Sequence, residues 1–309
     1  MDISVIIVNW NTKGFLEECL ASLATTKYSL EVVVVDNNSA DGSQEMVRGK
    51  FPNVKLICNT TNAGFAKGNN QAIAASTGRY VCLINSDARI LPGCLDALAN
   101  YLGENPKVGM VGPRVLNRDM TLQSTCRRFP NLWNNFCEAF ALPRLFPNSS
   151  FFAGEHMFFF KHDRVIFPDV LVGCFIMARR KAVDEFGMLD EAFFFYGEDI
   201  DWSRRCWKSG WKVAFFPGGQ AVHFLGGSSK KDPVKYALAL QRARLQFWKK
   251  HYSWPANFGL AALLALENTV RWMANAVSGA LKLKQRADAS VKMQRHAACL
   301  KALFVRSPA

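Results

Sequence analysis

The chain has 309 residues, half of them hydrophobic, a globular composition that excludes a disordered chain. Nine cysteines are scattered without a CxxC pair, which argues against a zinc site or a disulfide framework and fits a reducing compartment. The formal charge of +13 is lopsided: residues 1–227 carry 23 basic and 22 acidic side chains, whereas residues 228–309 carry 15 and 3. A basic segment of this kind calls for an anionic partner: a membrane surface, nucleic acid or a phosphorylated substrate.

The apolar, β-branched run "ISVIIVN" (3–9) predicts a strand buried on both faces. "FLEECLASLAT" (15–25) has helical spacing, and "EVVVVDN" (31–37) reads as a second strand. Residues 39–50 permit a helix, "VKLICN" (54–59) a third strand, 64–76 a helix and "YVCLIN" (80–85) a fourth strand. Residues 113–170 mix aromatics and prolines without a clean period, as expected of a loop-rich insertion. The pattern returns with a strand and helix over 170–187, a helix ending near Ser209, a strand at "KVAFF" and a helix over 232–252 with Pro near its start.

The last predicted helix covers about 256–284, with Leu263, Leu266, Val270, Met273, Val277 and Leu281 at three- and four-residue steps. Glu267, Asn268 and Arg271 interrupt the apolar stretch, so an interfacial helix is preferred to a spanning one. A core-facing helix packed on its own domain fits the pattern equally. The N-terminus lacks the basic start of a signal peptide. The expected location is cytoplasmic, peripheral on the inner face of the cell membrane.

Strand–helix alternation predicts right-handed βαβ units and a parallel sheet that binds ligands at the carboxyl ends of its strands. Those ends read "NWN", "DNNS", "NTTNAG" and "NSDA". Asp36 can accept hydrogen bonds from a ribose or a base there, or simply turn the chain. "NAGFAKGNN" (62–70) has neither a P-loop nor a GxGxxG pattern; Gly64 and Gly68 permit a close backbone approach to a ligand, or a plain turn. Asp87 suits a divalent cation that also grips a diphosphate, or a turn. His223 can complete such a site or be structural. Arg127 and Arg128 can fork onto phosphate or form a solvated pair.

"FFFYGEDIDWSRRCW" (193–207) sets Glu198, Asp199 and Asp201 directly after an aromatic run. Local chemistry accounts for the acids: Asp199 as a cap, Glu198 and Asp201 at a positive helix end, and an Asp201–Arg205 pair. A general base in a partly dry cleft accounts for the aromatics as well.

Taken in order, "SVIIVNWN", "EVVVVDNNSADGS", "NAGFAKGNNQAI", "YVCLINSDA", the stretch from "VGCFIMARRK" to "KSGWKV", and "AVHFLGG" resemble glycosyltransferase family 2, most closely its bacterial rhamnosyltransferase-like branch. The resemblance implies an α/β GT-A fold over 1–227, with a mostly parallel central sheet and flanking helices. The nucleotide-sugar half would be about 1–112 and the acceptor-side half about 113–227. Residues 228–309 would form a basic helical, membrane-associating extension.

The implied reaction is inverting transfer of a sugar from a nucleoside diphosphate, with dTDP-rhamnose as the expected donor. Another UDP- or dTDP-linked hexose, including galactofuranose, is the alternative. The expected acceptor is a saccharide, polyprenyl-diphosphate-linked, in bacterial surface-polysaccharide (O-antigen) assembly. By position, Asp199 would be the base, with Glu198 and Asp201 supporting it. Asn9, Asp36, Asn62, Gly64, Lys67, Asn85 and Asp87 would bind the donor, and Arg127 and Arg128 its phosphates. Asp87 and His223 would hold Mg²⁺ or Mn²⁺. Asn85 stands where many members carry the first Asp of the DxD-type motif. The rival classes are a non-catalytic nucleotide-binding scaffold and a nucleic-acid binder. The basic tail shows no nucleic-acid motif, so no nucleic-acid partner is expected.

Overall fold

The apolar run at the N-terminus forms β1 (Ile3–Asn9), with six of seven residues buried. In the computed structural model, which describes residues 1–24, 26–224, 232–281 and 286–304, β1 lies parallel between β2 (Leu30–Asp36) and β4 (Tyr80–Ile84). β3 (Lys55–Cys58) extends the sheet beyond β2. Side-chain alternation assigns the two faces. Ile3, Val5 and Ile7 enter a core with Leu16 and Leu20 of α1 (Lys13–Ala21) and Leu98 and Leu102 of α4 (Cys94–Glu104). Val8 points the other way, under α3 (Phe65–Ala74), where a Cβ on Gly68 would meet it at 3.0 Å. The short α2 (Ser43–Lys50) adds Met46 and Val47 to the first core.

The remaining strands are β5 (Ala88–Ile90), β6 (Val108–Leu116), β7 (Leu122–Gln123), β8 (Cys126–Arg127), β9 (Val170–Leu171), β10 (Phe175–Arg179) and β11 (Lys212–His223). The main sheet runs β3-β2-β1-β4-β10-β6-β11-β5, with β7 on β6; β8 and β9 form a separate ribbon. β10 is antiparallel to both its neighbours, and β11 is parallel to β6 but antiparallel to β5. A long insertion, not a single crossover helix, leads into β10, so the βαβ rule does not govern its direction. The result is a mostly parallel, GT-A-like sheet. Helices α7 (Arg180–Phe186) and α8 (Glu198–Lys208) follow β10 in the chain.

Chain contacts define two compact units, one of Met1–Phe129 with Phe160–Gly226, the other of Pro130–Phe159 with Gly227–Ala309. The sequence reading cuts the chain once, after residue 227. The contacts also assign 130–159 to the C-terminal unit, because α5 (Leu132–Ala139) packs on α10 (Trp254–Leu281). Short α6 (Leu142–Leu145), α9 (Pro233–His251) and α11 (Arg286–Phe304) complete that unit. Its interior holds Phe247, Trp248, Leu260 and Leu264. A buried polar line runs through it: His296 Nδ1 to Asn268 Oδ1 at 2.9 Å, and Gln241 Nε2 to the Cys299 carbonyl at 2.7 Å. Buried polar groups persist when paired in this way.

Helix α10 begins two residues before its predicted start, and predicted positions 282–284 lie outside the described residues. It buries Leu260, Leu264 and Asn268 against its own unit, while Leu266, Val270, Met273 and Val277 face outward. The buried side fits the core-facing reading, and the opposite side is an exposed apolar stripe. Among the described residues no helix is long and apolar enough to cross a membrane.

Candidate active site

The carboxyl ends of β1, β2 and β4 meet in one hydrogen-bonded chain. Register sets Asn9 opposite Asp36, and Asn9 Nδ2 donates to Asp36 Oδ2 at 2.8 Å. Asp36 Oδ1 accepts from the Ser39 backbone N–H at 2.9 Å and from Gln44 Nε2 at 2.8 Å. The carboxylate is thus fully buried and braces the loop after β2. On the other side, Thr12 Oγ1 donates to Asn9 Oδ1 at 2.6 Å and meets Ser86 Oγ at 2.8 Å. Thr12, Gln44 and Ser86 escaped the sequence reading, since isolated hydroxyls and amides carry no motif.

The Gly-rich loop forms a turn, as one of its two readings expected. Asn62 Oδ1 accepts from the Gly64 N–H at 3.0 Å, which shapes the turn before α3, and Lys67 is exposed on that helix. Gly64 sits at φ +87°, and a Cβ there would lie 2.7 Å from the Phe194 carbonyl oxygen. The close approach is therefore to the chain's own aromatic stretch, which the Phe65 N–H binds through that same oxygen at 3.0 Å.

Beyond β4, the antiparallel register of β11 and β5 sets His223 opposite Ala88. His223 Nε2 then lies 3.1 Å from Asp87 Oδ1 and 3.3 Å from Asn85 Nδ2. Gln123 decides the tautomer. Its Nε2 donates to Asn117 Oδ1 at 2.8 Å, so its Oε1 accepts from His223 Nδ1 at 2.7 Å. Nε2 is left to face Asp87 and the Asn85 amide. Asn85 Oδ1 is buried and has no hydrogen-bond partner. A carboxylate, an imidazole lone pair and an unfilled amide oxygen suit a divalent cation. Among the described residues no group of three His, Cys, Asp or Glu side chains converges.

The three acids of the opening α8 turn separate. The helix is capped by Gly197 at φ +86°, not by Asp199. Asp199 is half-buried; its Oδ2 accepts from the Gly173 N–H at 3.0 Å and its Oδ1 from the Ile200 N–H at 2.9 Å. Gly173 adjoins Cys174, whose carbonyl accepts from the Asn85 N–H at 3.0 Å. Burial pushes the Cys174 thiol up to about 12, and the charges of Asp87 and Asp199 add to that shift. Both carboxylates therefore border the same place. Glu198 is buried with Oε2 unpartnered; desolvation first, then the charge of Asp199, raises its carboxyl to about 8. Asp201 is fully buried and pairs with Arg205 Nε at 2.8 Å, the local pairing expected from their spacing. Arg205 also donates to the Met188 carbonyl at 2.7 Å, so this pair fastens α8 to the preceding loop.

The aromatic run divides as well. Phe193 is core, whereas Phe194 and Phe195 are exposed. Arg127 and Arg128 are half-buried at and after β8, and Arg127 Nε is buried without a partner.

Known proteins show the same architecture. The chain is 27% identical over 284 residues to the N-acetylglucosaminyl-diphospho-decaprenol L-rhamnosyltransferase of Mycobacterium tuberculosis H37Rv, covering 85% of this chain and 91% of the relative. A mannosyltransferase from Pyrobaculum calidifontis, solved with GDP-Man and Mn²⁺, superposes with a TM-score of 0.56 at 19% identity, over 98% of this chain and 87% of its own. Staphylococcus aureus TarS 1–349 with UDP gives 0.53 at 16%, over 98% and 91%. These two likenesses concern the fold. The family model described as "Glycosyl transferase family 2" matches residues 4–167, more than half of the chain. The chain belongs to glycosyl transferase family 2.

Proposed function

We propose that this glycosyltransferase moves rhamnose, with inversion, from dTDP-rhamnose to a saccharide carried on a polyprenyl diphosphate. Such a step belongs to bacterial surface-polysaccharide assembly of the O-antigen kind, at the inner face of the cell membrane. The observation that carries the reading is the approach of His223 Nε2 to Asp87 Oδ1 beside Asn85, with Asp199 hydrogen-bonded at Gly173, next to Cys174, whose carbonyl binds the Asn85 N–H. Displacement with inversion needs a base on the acceptor side and stabilisation of the leaving group opposite, the roles proposed for Asp199 and for Asp87 with His223. The decaprenol-linked acceptor and the sugar in the name of the mycobacterial relative favour this donor and acceptor class.

Asp199 takes the proton of the acceptor hydroxyl as its oxygen attacks the anomeric carbon. The bond from that carbon to the diphosphate breaks, and the nucleoside diphosphate leaves from the opposite face. The Gly173 and Ile200 N–H groups hold the carboxylate of Asp199 in place. Glu198, kept neutral by burial, adds no second charge beside it. Asp87 and His223 would hold Mg²⁺ or Mn²⁺ together with the donor diphosphate. When bound there, the ion would supply the positive charge that offsets the charge growing on the leaving group. The Asp36–Asn9–Thr12–Ser86 chain ties the nucleoside end of the site to the diphosphate end. Exposed Phe194 and Phe195 offer faces on which an acceptor sugar can stack.

A donor screen of the purified protein tests the reading, using dTDP-rhamnose, UDP-galactofuranose and UDP-hexoses with a synthetic polyprenyl-diphosphate saccharide. Transfer from dTDP-rhamnose is expected. Preference for another donor would move the specificity within the same chemistry. Donor turnover unaffected by any acceptor would reject the transfer.

A further inference from the structure

Segment 130–159 holds seven of the chain's 24 phenylalanines and one tryptophan. Few of them build a core. Trp133 and Phe136 on α5 are about 40% exposed, and Phe151 and Phe158 are 61% exposed. They are not scattered. Trp133 stacks on Phe136 at 5.6 Å and meets Phe151 at a tilt at 4.8 Å, and Phe136 continues to Phe140 at 4.7 Å. The cluster runs on into α10, where a Cβ on Gly259 would meet Leu132 at 3.2 Å. An apolar groove of about 370 Å³ lies at that seam, lined by Leu132, Trp133, Phe136, Gly259 and Leu263. Along α10 the outward stripe begins with Trp254, 79% exposed, and Phe258, 69% exposed. Patches of this extent on a folded unit mark an interaction site.

We propose that the C-terminal unit docks on an anionic lipid bilayer through this joined face of α5, the aromatic loop after it and the outer stripe of α10. The proposal deepens the membrane part of the function proposed above and rests on it. It adds segment 130–159, which the sequence reading assigned to the acceptor-side half, as a membrane-inserting element. Charge selects the occupant. The unit carries 16 basic and 5 acidic side chains, so a second copy of it would be repelled and an anionic surface attracted. Lys249 and Lys250 are exposed a few positions before Trp254, the pairing of cation and indole that suits a headgroup boundary. Acyl chains would enter the groove between α5 and α10.

Flotation of the full chain with phosphatidylglycerol/phosphatidylcholine vesicles tests this. The wild type is expected to float with them and less with phosphatidylcholine alone. Two double variants, Trp133→Ser with Phe136→Ser, and Trp254→Ser with Phe258→Ser, should each raise the lipid needed for half-binding by about tenfold or more. Turnover of a water-soluble acceptor should persist in both. Trp254→Phe, conservative at a highly exposed site, should weaken quenching of tryptophan fluorescence by brominated lipid even if the double variants fold poorly. Unchanged flotation of both double variants, with unchanged quenching in Trp254→Phe, would overturn the face while leaving membrane binding intact. Failure of the wild type to float would overturn both. A dimer in solution that Trp133→Ser dissociates would give the face to a second copy and overturn the lipid assignment.

Discussion

His223 Nε2 stands 3.1 Å from Asp87 Oδ1, with its other ring nitrogen held by Gln123 at 2.7 Å. The imidazole is therefore oriented from behind, with Nε2 turned toward the carboxylate. This relationship makes the proposed diphosphate side of the site testable apart from the proposed base.

Gln123→Leu should remove the acceptor for Nδ1–H and let the ring turn. Loss of such an orienting partner typically costs 10–100-fold in metal affinity. Mn²⁺ titration of activity should show that shift, with turnover at saturating metal nearly restored. Asp87→Ala should weaken donor binding in the presence of metal, and excess chelator should abolish wild-type activity. Full activity in chelator would reject the metal.

Asp199→Asn keeps the shape of the side chain and its place at the Gly173 N–H. Turnover should fall by roughly 10²–10⁴, the worth of a positioned base, while donor binding stays near normal. Donor affinity by calorimetry and turnover by product assay separate the two. Near-normal turnover would pass the role to another group.

Glu198 gives a pH signature of stability. Its carboxyl sits near 8 in the folded chain against 4.5 for an ordinary glutamate. Between those values the folded state holds the extra proton, so this group's contribution to stability falls as pH rises and levels off above about 8. The loss is on the order of a few kcal/mol. Glu198→Gln should flatten that slope and be the more stable protein at pH 8, measured by urea unfolding from pH 5 to 8. An unchanged slope would contradict the buried, neutral acid.

Gly64→Ala tests the seam between the Gly-rich loop and the aromatic stretch. The position needs φ +87°, and the new Cβ would strike the Phe194 backbone at 2.7 Å. Strain of this kind costs on the order of 1–3 kcal/mol. The melting temperature should fall and the donor KM should rise, because the loop must shift. Ala at Gly14, where nothing lies within 4 Å of an added Cβ, serves as the neutral control.

Much of the fold is legible in the sequence, because periodicity is a local property. β1, β2, β3 and β4 follow from apolar runs, and their polar ends locate Asp36, Asn85 and Asp87 at the carboxyl edge of the sheet. Spacing alone also indicates the Asp201–Arg205 pair, since residues four apart on a helix are neighbours. Strand direction and register are not local. Only the antiparallel pairing of β11 with β5 brings His223 to Asp87, and only the β10 register sets Cys174 beside Asn85. The three acids of α8 look alike in sequence. Burial separates them into a half-buried, hydrogen-bonded carboxylate, a neutral acid and an ion pair, because each meets a different neighbour. The aromatic segment 130–159 has no period to read, and its place in the C-terminal unit is decided by packing on α10. Composition sets which side chains seek burial, but the partners that a distant stretch of chain supplies decide which of them stay exposed.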